Sequence, residues 1–350
     1  MRLDALLTEP VYRYYIWGGR RLHARWGKPL DAAGRLAESW EVADEAQVAD
    51  GPWAGRTLAE VDTATDGALT GDVPHYPRAR LPLLIKLSNA EADLSVQVHP
   101  DDALAAVLAA DTGYPGKSEM YYVVDADPGA GVYYGLRPGV TLADVRATLT
   151  AGRSPADLLA FVPLAPGDVL YSPARTIHAI GKGVVYCEIQ QNSDITYRLY
   201  DWDRLGADGK PRPLHVDQAL AAPNGSRHMM LTACPHFAVE LFEGEAPQGL
   251  TRTRSAMRAI TVLDGMVQLE SREGEPVVVR AGRSAVLPVG LPEVRTAPQG
   301  PARALFAYLP DLAADVIAPL RAAGHADTAI AALAGDPAGG PIFEALHTIG

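Results

Sequence analysis

Cysteine is nearly absent from this chain: Cys187 and Cys234 are the only two among 350 residues, and they lack CxxC spacing. A small disulfide-stapled scaffold is thereby excluded. No apolar run is long enough to cross a bilayer, and no signal peptide precedes M-R-L-D-A-L-L, so a reducing cytoplasm is the expected compartment. Positive charge is also in short supply. Lys plus Arg number 31 against 42 Asp plus Glu, a net charge of −11, which argues against nucleic acid or an anionic membrane as partner. An anionic small substrate would have to find local basic groups.

What is present suits two domains, or one large β-rich unit with additions, with ample apolar content for proper cores. V-Y-R-Y-Y-I-W-G-G-R-R-L and L-A-E-S-W-E-V-A read as strands meeting turns, with Trp17 and Trp40 as core or wall residues. A Gly/Thr/Asp-rich connection follows. Leu81–Leu87 then reads as a buried strand carrying one charge, Lys86, either a snorkelling surface residue or a site cation. Pro100-Asp101-Asp102 opens an alanine-rich helix ending by Gly113, and Thr141-Leu-Ala-Asp144 forms a capping box for a second. Strands are expected at Y-Y-V-V-D-A, G-V-Y-Y-G-L, V-V-Y-C-E-I-Q-Q and I-T-Y-R-L-Y, and throughout the last third. Alanine-rich helices beyond Pro310 read as an appendage packed on the body or at a subunit contact.

The chemistry concentrates between Lys86 and Asp203. In L-S-V-Q-V-H-P, Ser95, Gln97 and His99 alternate with Leu94, Val96 and Val98, so as a strand it presents three polar side chains on one face. Glu119, in G-K-S-E-M-Y-Y-V-V, and His178, in P-G-D-V-L-Y-S-P-A-R-T-I-H, are two further metal-competent residues. A lone histidine is more often a hydrogen-bonded core residue, but here several features would have to coincide by chance. Gln97, His99, Glu119 and His178 are therefore expected to hold one divalent metal. Two imidazoles, two oxygen donors and no thiolate suit Zn and tolerate Mn, Co, Ni or Fe. His23, His215, His228, His236, His325 and His347 lack such company and read as ordinary residues. Tyr186, Glu188 and Gln190 share a strand face, and Thr196, Arg198 and Tyr200 share another.

An internal repeat bears on the fold. In G-D-V-L-Y-S-P-A-R-T-I-H (residues 167–178) and G-R-S-A-V-L-P-V-G-L-P-E (residues 282–293) a proline stands six positions after the glycine and a polar residue, His178 or Glu293, five beyond the proline. The spacing resembles the second cupin motif, whose histidine is a metal ligand. The expected fold is mainly β with added helices, built from two cupin (jelly-roll) β-barrels, the second metal-free because Glu293 replaces the histidine. The expected division is a catalytic cupin domain over 1–220, a second cupin-like domain over 221–310 and a helical extension over 311–350.

S-V-Q-V-H-P-D-D, G-K-S-E-M-Y-Y-V, I-H-A-I followed by C-E-I-Q-Q-N-S-D-I-T-Y-R-L-Y-D-W-D-R, and the early E-S-W-E-V together resemble the zinc-dependent type I mannose-6-phosphate isomerases in their shorter bacterial form, over roughly residues 10–310. The resemblance implies an aldose–ketose isomerase interconverting mannose 6-phosphate and fructose 6-phosphate, with one Zn2+ per chain on Gln97, His99, Glu119 and His178. It also implies a catalytic role for Arg198 and site positions for Ser95, Lys86 and Lys117. Arg204 stands where a further basic residue is expected. The chemistry needs ring opening, removal of the C2 proton, a cis-enediol(ate) and reprotonation at C1. Arg198 would stabilise the developing oxyanion, Glu188 would act as base, Lys117 or His99 would assist ring opening, and Lys86, Ser95 and Arg204 would hold the phosphate. Glu188 could instead orient a ligand or Arg198. The rival readings are an isomerase for another aldose, an iron-dependent cupin oxygenase, against which Gln97 argues, and a sugar-phosphate-binding bicupin without turnover. A fused nucleotidyltransferase is set aside, because no Gly-rich nucleotide-binding segment opens the chain.

Overall fold

The computed structural model describes residues 3–71, 73, 80–206, 208–216, 218, 232–244, 248–250, 256–271, 275–291, 294–322, 326–334, 342 and 345–346. The chain is mainly β and forms two compact units: one from within residues 12–39 and 87–229, the other from within 1–11, 40–86 and 230–350.

In the first unit, the strands Tyr197–Tyr200, Val96–Val98, His178–Ile180, Gly131–Leu136 and Leu159–Pro163 lie side by side in that order. Alternation gives this sheet two chemically distinct faces. Val96, Val98, Ala179, Tyr197 and Leu199 form one apolar cluster with Ala105 and Val145, which belong to the helices Asp102–Leu108 and Leu142–Thr150. Gln97, His178 and Arg198 therefore point the other way, as do Val132, Tyr134 and Ile180. A second sheet runs Val169–Ser172, Glu119–Ala126, Val184–Gln191, and continues through Leu83–Ala90, Glu38–Val42 and Val11–Arg13. Tyr121, Val123, Leu170, Val184 and Tyr186 of this sheet share a core with Val132, Tyr134 and Ile180 of the first. The two sheets thus close on a common interior, and the polar residues of both inner faces must meet there.

Both expected helices form. Asp101 caps the first by accepting from the Leu104 N–H at 2.9 Å, and Thr141 and Asp144 make the reciprocal capping box of the second. The first stops at Leu108, short of Gly113, where the Thr112 hydroxyl donates to the Ala109 carbonyl at 2.7 Å and diverts it from the helical pattern. Two short helices were not expected, Arg21–Trp26 and Leu58–Ala64. The second carries a legible signal, the capping box of Thr57 with Glu60.

The second unit has two sheets of its own. One runs Ala238–Gly244, Ala302–Tyr308, Arg258–Asp264, Arg283–Leu287, Leu6–Glu9, Gln47–Val48; the other runs Gln248–Leu250, Val294–Pro298, Met266–Ser271, Val277–Arg280. Its interior is apolar, with Ile260, Val262, Val267, Leu269, Leu287 and Phe306 in one cluster. The described C-terminal residues Val316, Ile317, Ile330, Ala331, Ile342 and Leu346 belong to that same cluster, so this tail completes a core. The units do not follow the linear division at residues 220 and 310. The strand Leu6–Glu9 pairs with Arg283–Leu287, Leu6 opposite Val286, and brings the N-terminus into the unit of residues 230–350. Sheet closure between chain ends leaves no local trace in sequence.

The Gly-strand-Pro repeat is visible in both units. Gly167 (φ 94°) and Gly282 (φ 76°) take the left-handed conformation that enters the strands Val169–Ser172 and Arg283–Leu287. Pro173 and Pro288, which have no N–H for a ladder, end them. Glu293 lies outside the described residues. Lys86 is 4% exposed, with its Nζ 5.2 Å from the centroid of the buried Trp40 ring, so it is not a snorkelling surface residue.

Candidate active site

Register assembles the site. Gln97 pairs with His178 on one side and with Arg198 on the other, so these three residues of adjacent strands share one face. Across the interior, Glu119 pairs with Ser172 and Gln190, and Tyr121 with Glu188. Directly opposite residues of antiparallel strands point to the same side, so Glu119, Tyr121, Glu188 and Gln190 form a polar patch on the other inner wall.

The two patches meet at Glu119. Its Oε1 lies 2.9 Å from His178 Nε2 and 3.3 Å from His99 Nε2, and it accepts a hydrogen bond from the Tyr121 hydroxyl. Both imidazoles have fixed tautomers. His99 Nδ1 is 2.8 Å from the Ile195 carbonyl and His178 Nδ1 is 3.0 Å from the Thr176 carbonyl. A carbonyl can only accept, so both Nδ1 atoms carry a proton, and each ring turns its Nε2, the atom that would ligate a metal in the neutral ring, toward Glu119. Gln97 joins from the side: its amide nitrogen is 3.5 Å from His178 Nε2, and its Oε1 accepts from the Ser95 hydroxyl at 3.1 Å.

Lys117 sits between the walls, with Nζ 2.9 Å from Glu119 Oε2, 3.5 Å from Glu188 Oε1 and 3.4 Å from His99 Nε2. It is off line for a hydrogen bond to Glu119 Oε2, and that buried oxygen accepts none. Burial drives the His99 pKa down to about 4, with Lys117 adding to the effect, so the ring is neutral. Burial pushes the Glu119 carboxyl up, but the opposing interactions, led by the Lys117 ammonium, outweigh it and hold the group well below its usual range. Burial raises the Tyr121 phenol well above its ordinary value, and the nearby Glu119 and Glu188 reinforce this.

These residues fit a divalent cation. One ligand atom each from His99, Glu119 and His178 lies within 4.8 Å of the others, all buried. Two inward Nε2 atoms and a carboxylate oxygen that accepts no hydrogen bond are a donor set that a divalent cation would complete.

Arg198 lies at the margin of this cluster. Its Nη1 donates to the Pro213 carbonyl at 3.0 Å, while its Nε is buried without a hydrogen-bond partner. Burial lowers its pKa, with Arg212 contributing. His215, read from sequence as an ordinary residue, is engaged here: its Nδ1 accepts the Arg198 N–H at 3.3 Å, and its own N–H donates to the Arg198 carbonyl at 2.7 Å. Arg204 donates from Nη2 to Asp201 Oδ1 at 2.6 Å and from Nη1 to the Asp93 carbonyl. Arg212 grips the same Asp201 carboxylate, from Nε at 2.7 Å and from Nη2. Lys86, in the other unit, is described above. His23 Nδ1 is bonded to the Lys28 carbonyl at 2.8 Å, while His228, His325 and His347 lie outside the described residues.

Sequence reasoning missed Tyr121, Arg212 and His215. Tyr121 was within reach, because Glu119-x-Tyr121 on a strand puts both side chains on one face. Arg212 reaches Asp201, and His215 reaches Arg198, through a returning loop, which periodicity does not register.

The sequence matches the family model for phosphomannose isomerase type I, catalytic domain, over residues 6–125. It is 33% identical over 333 residues to the mannose-6-phosphate isomerase ManA of Bacillus subtilis, covering 88% of this chain and 100% of that protein. The fold is similar to a crystal structure of the mannose 6-phosphate isomerase from Bacillus subtilis, with a TM-score of 0.77, 26% identity, and 87% and 100% of the two chains covered. It is also similar to a zinc-bound mannose 6-phosphate isomerase structure, with a TM-score of 0.68 at 16% identity, covering 88% of this chain and 100% of that one. At that identity the likeness concerns the fold.

Proposed function

This chain belongs to the type I phosphomannose isomerases, and from that premise we propose that it interconverts mannose 6-phosphate and fructose 6-phosphate through a cis-enediol, with one Zn2+ per chain held by Gln97, His99, Glu119 and His178. The observation that carries the reading is the buried convergence of His99 Nε2, His178 Nε2 and the Glu119 carboxylate beside Arg198. Zinc is the choice because the donors are two imidazoles and oxygens with no thiolate, and because a relative of the same fold is described as zinc-bound.

The bound metal supplies Lewis acidity to the sugar oxygens. Everything else falls to the chain. After ring opening, assisted by Lys117, the Glu188 carboxylate takes the proton from C2, and the electron pair moves toward the C1 oxygen to give the enediolate. A proton passes from the C2 hydroxyl to the C1 oxygen, and the same carboxyl then returns its proton to C1 as the electron pair left on the C2 oxygen forms the ketone at C2. Lys117 Nζ lies 3.5 Å from Glu188 Oε1, beside the carboxyl that carries the proton between the two carbons. Arg198, always charged and with an unpartnered buried Nε, offers its guanidinium to the developing oxyanion. Ser95, Lys86 and Arg204 are assigned to the phosphate. No redox cofactor enters, because the hydrogen moves within one substrate.

We assign the catalytic role to the first unit and a metal-free scaffolding role to the second barrel. The compartment we favour is the cytoplasm, in keeping with Cys187 and Cys234 being buried and outside any disulfide. The net charge of −11 speaks against nucleic acid as a partner. The test is a coupled assay of fructose 6-phosphate formed from mannose 6-phosphate on protein as purified, after chelation, and after Zn2+ is restored. Activity should vanish with the chelator and return with zinc. Metal-loaded protein without turnover sinks the isomerase reading in favour of a sugar-phosphate-binding bicupin or another aldose as substrate.

A further inference from the structure

We propose that Tyr121 is a positioning residue of the metal centre, its hydroxyl locking the rotation of the Glu119 carboxylate so that this group meets the metal together with His99 and His178. The proposal rests on the metal-binding reading above. Tyr121 follows Glu119 by two positions on the strand Glu119–Ala126, so the two side chains rise from the same face. The ring is fixed by packing. It is 2% exposed, lies edge-on to Tyr186 with centroids 5.3 Å apart and planes at 87°, and belongs to the core with Val123 and Leu170. A ring held this way makes its hydroxyl a fixed point in space.

That hydroxyl ends among the ligands: it donates to Glu119 Oε1 and lies 3.2 Å from His178 Nε2. A phenol has one proton. The ionised carboxylate is the stronger acceptor and takes it. His178 Nδ1 donates to the Thr176 carbonyl, which leaves Nε2, 3.2 Å from the phenol oxygen, as the ring atom available to a metal. Phenylalanine would fill the same volume, so packing alone gives no reason for the oxygen. A buried hydroxyl is costly unless bonded, and this one is bonded to a would-be ligand. Lys117 approaches the opposite oxygen, Oε2, at 2.9 Å without a hydrogen bond, so the Tyr121 hydroxyl is the directional donor on Oε1.

Tyr121→Phe removes the hydroxyl and keeps the ring. Zn2+ affinity of wild type and Y121F should be measured by competition with a chromogenic chelator, and the visible absorption of the Co2+-substituted proteins recorded. Affinity in Y121F should fall about 10- to 100-fold, the usual effect of losing a group that orients a ligand, and the cobalt bands should shift as the carboxylate reorients. A purely space-filling tyrosine would move neither. Wild-type affinity together with an unchanged cobalt spectrum in Y121F overturns the proposal, while wild-type protein that takes up no Zn2+ removes the metal reading itself.

Discussion

On the strand Glu119–Ala126 the inner face carries Glu119 and Tyr121, whereas on Met266–Ser271, in the other unit, the buried positions of the same alternation are Val267 and Leu269. Both units pack two sheets, and both contain the Gly-strand-Pro device, at Gly167 to Pro173 and at Gly282 to Pro288. They differ in what the interior is made of. The apolar interior stabilises its unit directly, at about 1.5–3 kcal/mol for each fully buried large side chain. The polar interior gives that up over several positions and instead buries two imidazoles, two carboxylates and an ammonium, which are costly unless paired with one another or with a metal. Similar two-sheet packing therefore surrounds an apolar core in one unit and the candidate reaction site in the other.

The comparison can be broken most severely by removing a ligand. His178→Ala should lose bound metal and turnover together while keeping its far-UV circular dichroism. A variant that still binds zinc stoichiometrically would show that the ligand set is wrong. Arg198→Ala should retain metal, as read by elemental analysis, and lose about 100- to 1000-fold in kcat, the scale for loss of an oxyanion-stabilising group. Loss of metal in R198A would instead make Arg198 part of the metal site. In the apolar interior, Leu269→Ala should cost about 2–5 kcal/mol in denaturant unfolding with metal content and kcat unchanged in the folded protein. A loss of metal there would show that the two interiors are energetically one.

The smallest effect expected is on pH dependence, and it should be confined to the polar interior. Burial holds His99 at about 4 when folded, against 6.5 ordinarily. Between those values the unfolded chain binds a proton that the folded one does not, so stability falls as pH drops from about 6.5 to about 4, by roughly 3 kcal/mol from this group. Glu119, held well below its usual range, loses its contribution at still lower pH, with the same sign. Urea unfolding of chelated protein at pH 7 and pH 5 measures the difference. Equal stabilities at the two values would contradict the neutral, buried state of His99.

Much of the site was readable because strands make it so. A period of two is enough to put Gln97 and His99 on one face, and Glu188 and Gln190 on another, without knowledge of what they face. The helix starts at Asp101 and Thr141 were readable for an equally local reason, since a cap is satisfied within three residues. Lys86 was not resolved by its own sequence. A lysine in an apolar run can lie outside or inside, and only the packing of its strand decided that it is buried against Trp40. Arg204 shows the opposite limit: its basic character was plain, but its grip on Asp201 in company with Arg212 depends on a returning loop.

The sequence by itself determined the alternation of the strands, the inventory of donors and the Gly-strand-Pro device at Gly167 and Gly282, because each depends on residues within about a dozen positions of one another. Only the tertiary structure decided that His178 would stand opposite Gln97, that Tyr121 would touch Glu119 beside His178, and that the strand Leu6–Glu9 would close a sheet with Arg283–Leu287. Those outcomes depend on register between strands far apart in the chain. Register is set by the total burial of two whole faces, a sum that no single segment contains.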